Sequence, residues 1–229
     1  MRSFFAGALL IAITATGASA QVTFTSAPAN AGGDPGYPGE SLVVDFEAPV
    51  AGVSLSGSYT IGTGLVPGFR APPFGVVNNY FAVPNVDGPS NGVAVIDFSG
   101  YLASRTVNSL SFYWGSIDTY NTLEVLGLGG SVLKTITGSQ VINPADGNQF
   151  GASTNRRLFL DFDGNSELDF RALRLTSNGR AFEIDNIAGS FTERATVVPE
   201  PSTWVTLAFG LVVLGVAAAR RNTLTNRIF

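Results

Sequence analysis

The chain contains no cysteine and no histidine, and charged residues make up only 13% of it. The missing cysteines mean that no disulfide supports the fold, even in a compartment that would permit one. The missing histidines exclude more. A Ser-His-Asp triad, a Cys-His pair and imidazole-bound zinc, copper or iron are all ruled out. Chemistry, where there is any, falls to carboxylates, hydroxyls, Lys134 and a few arginines.

The ends have a different composition from the middle. Met1-Arg2-Ser3 is a short positive start, and Phe4 to Ile13 is an apolar run too short to cross a bilayer as an anchor. Ala18-Ser19-Ala20 supplies the small residues that signal peptidase accepts, with Ala18 and Ala20 at the recognised positions. Residues 1–20 therefore read as a signal peptide, and Gln21 as the first residue of the mature chain. Between Gln21 and Val198 there are nine basic and sixteen acidic residues, a net charge of −7. That balance argues against nucleic acid as a partner.

Glycine, serine, threonine and β-branched residues dominate the middle. Residues 21–40 read as a flexible Pro/Gly-rich lead-in without periodicity. From there to residue 195 the pattern predicts short strands at Leu42–Glu47, Val53–Ile61, Asn79–Val83, Val93–Phe98, Val107–Trp114, Leu123–Leu128, Val132–Thr137, Arg157–Phe162, Phe170–Thr176 and Ala181–Ile187. Turn signals separate them, among them Gly129-Gly130 and Asp146-Gly147-Asn148. This spacing, without a helical period, predicts an all-β domain: an antiparallel β-sandwich of jelly-roll type. Alternation places Leu42, Val44 and Phe46, Leu158, Leu160 and Phe162, and Phe182 and Ile184 in the core.

Three acidic pairs stand two residues apart: Asp45/Glu47, Asp161/Asp163 and Glu183/Asp185. That spacing puts both carboxylates of a pair on one strand face, which is ordinary for a solvated surface. If the first and last of these strands are neighbours, however, like charges stack across them, and this is unfavourable without a counter-ion. Calcium is hard, oxygen-ligated and independent of histidine, so Glu47 and Asp185 are candidate ligands for a structural calcium ion. Asp161 to Glu167 has the flavour of a calcium loop but lacks EF-hand spacing. Paired carboxylates are also the equipment of glycosidases. Tyr113, Trp114 and Tyr120 around Gly115–Thr119 fit either a core cluster with an ordered turn or a sugar-stacking site.

Val198-Pro199-Glu200-Pro201-Ser202 precedes an uncharged run at 203–219, which Arg220-Arg221 closes. At about 1.5 Å per residue that run reaches roughly 25 Å as a helix, enough for a thin bilayer. Trp204 sits at the interface, and the arginines mark the cytoplasmic side, leaving 222–229 as a short cytoplasmic tail. A plain single-span anchor has these same features. Pro199, Glu200 and Pro201, the apolar span and the basic pair Arg220 and Arg221 together resemble the PEP-CTERM sorting signal over 197–221. The resemblance implies processing by an exosortase after export across the inner membrane of a Gram-negative-type bacterium. It also implies delivery to the envelope, the cell surface or an exopolysaccharide matrix. Phe112 to Leu123 and Ala181 to Ile187 are similar to segments of jelly-roll domains in exosortase-dependent surface proteins, a likeness that implies no activity. The expected role is non-catalytic, with a glycan-binding module as the alternative and a carboxylate-dependent carbohydrate-active enzyme as the competing class.

Overall fold

The computed structural model describes residues 21–162, 169–194 and 206–214. Ala18 and Ala20, Pro199, Glu200 and Pro201, Arg220 and Arg221, and most of the Asp161–Glu167 loop lie outside the described residues. The chain divides into two units, residues 1–193 and 194–229.

The first unit is all-β and antiparallel. Its strands are β1 (Thr23–Pro28), β2 (Ser41–Val44), β3 (Ser54–Gly57), β4 (Thr60–Gly62), β5 (Tyr80–Val83), β6 (Gly92–Asp97), β7 (Arg105–Gly115), β8 (Asn121–Leu126), β9 (Val132–Thr137), β10 (Arg156–Asp161), β11 (Ala172–Ser177) and β12 (Phe182–Glu193). A single helical turn, α1 (Gly138–Val141), follows β9. One sheet runs β1-β10-β7-β12-β5-β4, with β2 also on β12, and the other runs β3-β6-β11-β8-β9. The inward residues of both sheets form one core. Leu110, Phe112, Trp114, Leu158, Leu160, Phe182 and Ile184 come from the first, and Ala94, Ile96, Leu123, Val125, Leu173 and Leu175 from the second. Trp114 stacks on Phe182 with ring centroids 4.2 Å apart and planes 9° apart.

Three expectations need correction. Residues 21–40 are not a loose lead-in, because Thr23–Pro28 pairs along β10 from Thr23↔Asp161 to Pro28↔Arg156. Val22 is buried and Phe24 packs against the core while Thr23 and Thr25 face outward, an alternation of only two apolar residues beside the Pro/Gly-rich stretch. The run Val53–Ile61 is not one strand. Gly57 takes φ +93°, and a Cβ there would stand 2.3 Å from the Val93 carbonyl oxygen. Only glycine meets both demands, and the chain crosses there from β3 in one sheet to β4 in the other. Leu42 is 43% exposed rather than core. Its neighbours Val44 and Phe46 are buried as expected, but the β2–β12 register shifts between Ile187 and Ala188, the partner of Leu42. In the second unit residues 206–214 are helical with exposed side chains. Among the described residues no helix is long and apolar enough to cross a membrane.

Candidate functional site

β12 is the axis of the larger sheet. It pairs with β7 along one edge, and with β5 and then β2 along the other. Its core-facing residues Phe182 and Ile184 alternate with Glu183 and Asp185, which point to the opposite face. That face is roofed by the segment after β1 and by the loop before β5, which hide a layer of polar groups.

Arg157 is the centre of this layer. It stands on the outward face of β10, yet its side chain is fully buried, and it forms a two-pronged ion pair with Asp34 of the roof. Nε donates to Oδ1 at 2.9 Å and Nη2 to Oδ2 at 2.6 Å. The guanidinium also donates to Ser111 Oγ at 2.7 Å and to the Asn186 carbonyl at 3.0 Å. It lies over the Tyr37 ring, 4.8 Å from the centroid. Asn155 works in the same way with neutral groups. Its Oδ1 accepts from the Phe74 and Ser116 N–H groups, and its Nδ2 donates to the Asn148 and Gly151 carbonyls. Glu183 accepts from the Ala71 N–H at 3.0 Å and the Ser116 hydroxyl at 2.9 Å. Burial pushes its carboxyl up to about 7 despite those bonds. Glu183 is therefore closed off from solvent, and its pairing with Asp185 in sequence does not extend to a shared cleft.

Asp185 is in a different position. A cleft of about 360 Å³ opens beside it, lined by Gly32, Asp34, Leu42, Asp45, Glu47, Gly75, Val76, Val77, Asn78, Asp185 and Asn186. Two left-handed residues shape it. Phe46, at φ +58°, turns its ring inward against Phe81, and Asp45 and Glu47 flank it along the cleft. Asn186, at φ +49°, sits at the irregularity where β12 slips against β7 between Asp185 and Ala188. The strand leading into the first acidic pair does adjoin the last strand, since Val44 pairs with Ile187, but β2 ends at Val44, so Asp45 and Glu47 stand in the turn after it and not on a strand face as expected. Glu47 and Asp185 therefore share one cleft, together with Asp45 and Asp34.

The four carboxylates differ in what holds them. Both Asp34 oxygens are engaged by Arg157. Asp45 Oδ1 accepts the Glu47 N–H at 3.0 Å. Glu47 is exposed and accepts from Asn79, at 2.7 Å from the backbone and 3.1 Å from the amide. Asp185 is only 4% exposed, and its Oδ1 has no hydrogen-bond partner. Burial raises its carboxyl to about 7. The Asn186 backbone hydrogen bond works against this, and the negative charges of Asp34, Asp45 and Glu47 add to it. Among the described residues no group of three or more carboxylates could hold a metal ion.

Two rings of the aromatic cluster, Tyr113 and Trp114, belong to the interior. Trp114 is fully buried, Tyr113 donates to the Phe74 carbonyl at 2.8 Å, and Tyr120 donates to the Arg180 carbonyl. Tyr113 is fully buried as well, and Tyr120 is half-buried. Asp34, Arg157 and Asn155 went unnoticed in the sequence. Their only signal was Arg157 itself, a charge beside the apolar alternation of Leu158 and Leu160.

A comparison with solved structures matched the enzymatically active domain of tailspike protein 4 of bacteriophage CBA120. Identity is 14% and the TM-score 0.30, with 62% of this chain and 19% of that one covered. A likeness of that size carries no argument. No curated protein matched. The model of the PEP-CTERM protein-sorting motif matches residues 197–221, which start four positions beyond the end of β12. The chain carries a PEP-CTERM protein-sorting motif.

Proposed function

We propose that this is a non-catalytic surface or exopolysaccharide-matrix protein of the bacterial envelope, displayed by its β-sandwich and delivered by its tail. The motif at 197–221 carries the reading, because it implies export and exosortase processing. Its physics distinguishes sorting from simple anchoring. An anchor needs only an apolar span and flanking charge, and 203–221 supplies both. It has no need of Pro199-Glu200-Pro201. The prolines fix their own φ angles and disfavour helix in the residue before each, which favours the extended segment that a peptidase binds.

The test is the intact mass of the surface-extracted protein from strains with and without the exosortase. The processed form should lack the hydrophobic segment 203–229, and changing Pro199 and Pro201 to alanine should leave it membrane-retained and full-length. The same C-terminus in both strains, ending at Phe229, would refute sorting.

A glycan-binding role is the second reading. It is favoured by a groove along β1 and β10 that offers Thr25, Asn108, Ser109 and Asp161 beside the half-buried ring of Phe159. Incubation with the producer's own exopolysaccharide separates the classes. Retention marks a binding module, degradation marks an enzyme, and neither outcome leaves a display protein.

A further inference from the structure

Two carboxyl groups lie under the roof, and among the described residues neither takes part in an ion pair. Glu183 and Asp185 occupy successive outward positions of β12 and are 2% and 4% exposed. Glu183 is held by neutral donors, the Ala71 N–H of the roof and the Ser116 hydroxyl among them. Asp185 Oδ1 has no donor at all. The cations nearby are committed elsewhere. Arg157 is matched by Asp34, and Arg70, over the Tyr80 ring, donates to the Gly62, Thr63 and Gly64 carbonyls. Asp118, Tyr80 and Tyr120 face Glu183, and Asp34, Asp45, Glu47 and Tyr113 face Asp185; all are acidic or neutral. An ionised carboxylate in either place is desolvated, uncompensated and repelled by its neighbours.

We propose that the roof over β12 is a proton-operated latch, shut while Glu183 and Asp185 carry their protons and loosened when they give them up. In the shut state a proton takes the place of the missing counter-charge. Ionisation favours the open roof, where water hydrates the carboxylates. Burial lifts both carboxyls to about 7, so the shut domain binds more protons than the open one. The latch therefore contributes most below the ordinary carboxyl range near pH 4, and its contribution is lost as pH rises through about 7. The sequence keeps this window clear of other groups. With no histidine and no cysteine in the chain, no side chain of ordinary pKa titrates between about pH 5 and 8. The α-amino group of a mature chain starting at Gln21 does titrate there, but on an exposed residue. The latch belongs to the β-domain alone and is independent of the sorting proposal.

The experiment uses the mature full chain, labelled with nitrogen-15, in detergent. Hydrogen exchange at the Ala71 amide, which donates directly to Glu183, reports the roof, and urea unfolding reports the whole domain. A carboxyl at about 7 when shut and 4.5 when open changes the opening constant by about 70-fold between pH 5 and pH 8. Protection of Ala71, corrected for the intrinsic exchange rate, should fall by at least about tenfold over that range, and the urea midpoint should fall with it. Glu183→Gln and Asp185→Asn keep the size of each group and remove its charge. Each should shrink the pH dependence, and the double variant should flatten it. The parent's own profile decides the matter if the buried variants fail to fold. A midpoint and an Ala71 protection that stay level or rise from pH 5 to pH 8 would overturn the proposal, as would a fall that survives undiminished in both variants.

Discussion

Asp34→Ala should be among the most damaging single changes outside the apolar core. Asp34 is partly open to solvent, with its side chain 15% exposed, whereas Arg157 is at 0%. Removing the aspartate leaves a guanidinium in the interior with Ser111, the Asn186 carbonyl and the Tyr37 ring, none of them charged. Breaking a buried pair from one side costs about 3–5 kcal/mol, chiefly because the remaining charge is uncompensated. Asp34 is near the rim, where water can enter, so the lower end, about 3 kcal/mol, applies here. In a domain of this size that corresponds to a fall in Tm of about 6–12 °C.

Arg157→Met should cost less, because the aspartate it leaves can hydrate and still accepts the Gly36 N–H at 2.9 Å. The double variant should then be more stable than Asp34→Ala alone, since it removes the stranded charge. Urea unfolding followed by circular dichroism, with chelator present throughout, measures all four proteins under one condition. Two results would refute the reasoning: Asp34→Ala within about 1 kcal/mol of the parent, or a double variant no more stable than the single one.

Two further expectations concern the same domain. Asn155→Ala should cost about 3 kcal/mol in the same unfolding assay, because it removes four hydrogen bonds that tie the Phe74, Ser116, Asn148 and Gly151 backbones together; a loss below about 1 kcal/mol would mean that water replaces it. Residues 21–194, expressed without either end, should fold alone and give a β-sheet circular dichroism spectrum, since the first compact unit closes at Glu193; a helical or disordered spectrum would contradict the architecture.

The sandwich was legible where one face of a strand is apolar and the other polar. Leu158, Leu160 and Phe162, like Phe182 and Ile184, announce their core face by alternation alone. It was illegible where backbone decides. Thr23–Pro28 joins an edge with only Val22 and Phe24 turned to the core, too short an alternation to declare a strand. The break at Gly57 depends on how near Val93 comes, which is a fact about distant sequence. In the acidic cleft, Asp45, Glu47 and Asp185 could be brought together from spacing and strand adjacency, whereas Asp34 could not be placed. The burial of Arg157 was hidden for a related reason. Its strand position points outward, and only the roof formed by a segment more than a hundred residues away encloses it.

The place of β12 has a mechanical consequence. It is the last strand before the sorting motif, so any tension on the tail enters the domain at Glu193, which is paired with Arg105. A strand at a sheet edge would peel away one hydrogen bond at a time. β12 is paired with β7 at Glu183–Asp185 and again from Ala188 to Glu193, and with β5 and then β2 on its other side between Phe182 and Gly189. A pull along its axis therefore loads many bonds in parallel, in shear. Force reaching the domain from its C-terminal side is met first by the β12–β7 pairing and then by a strand held from both sides.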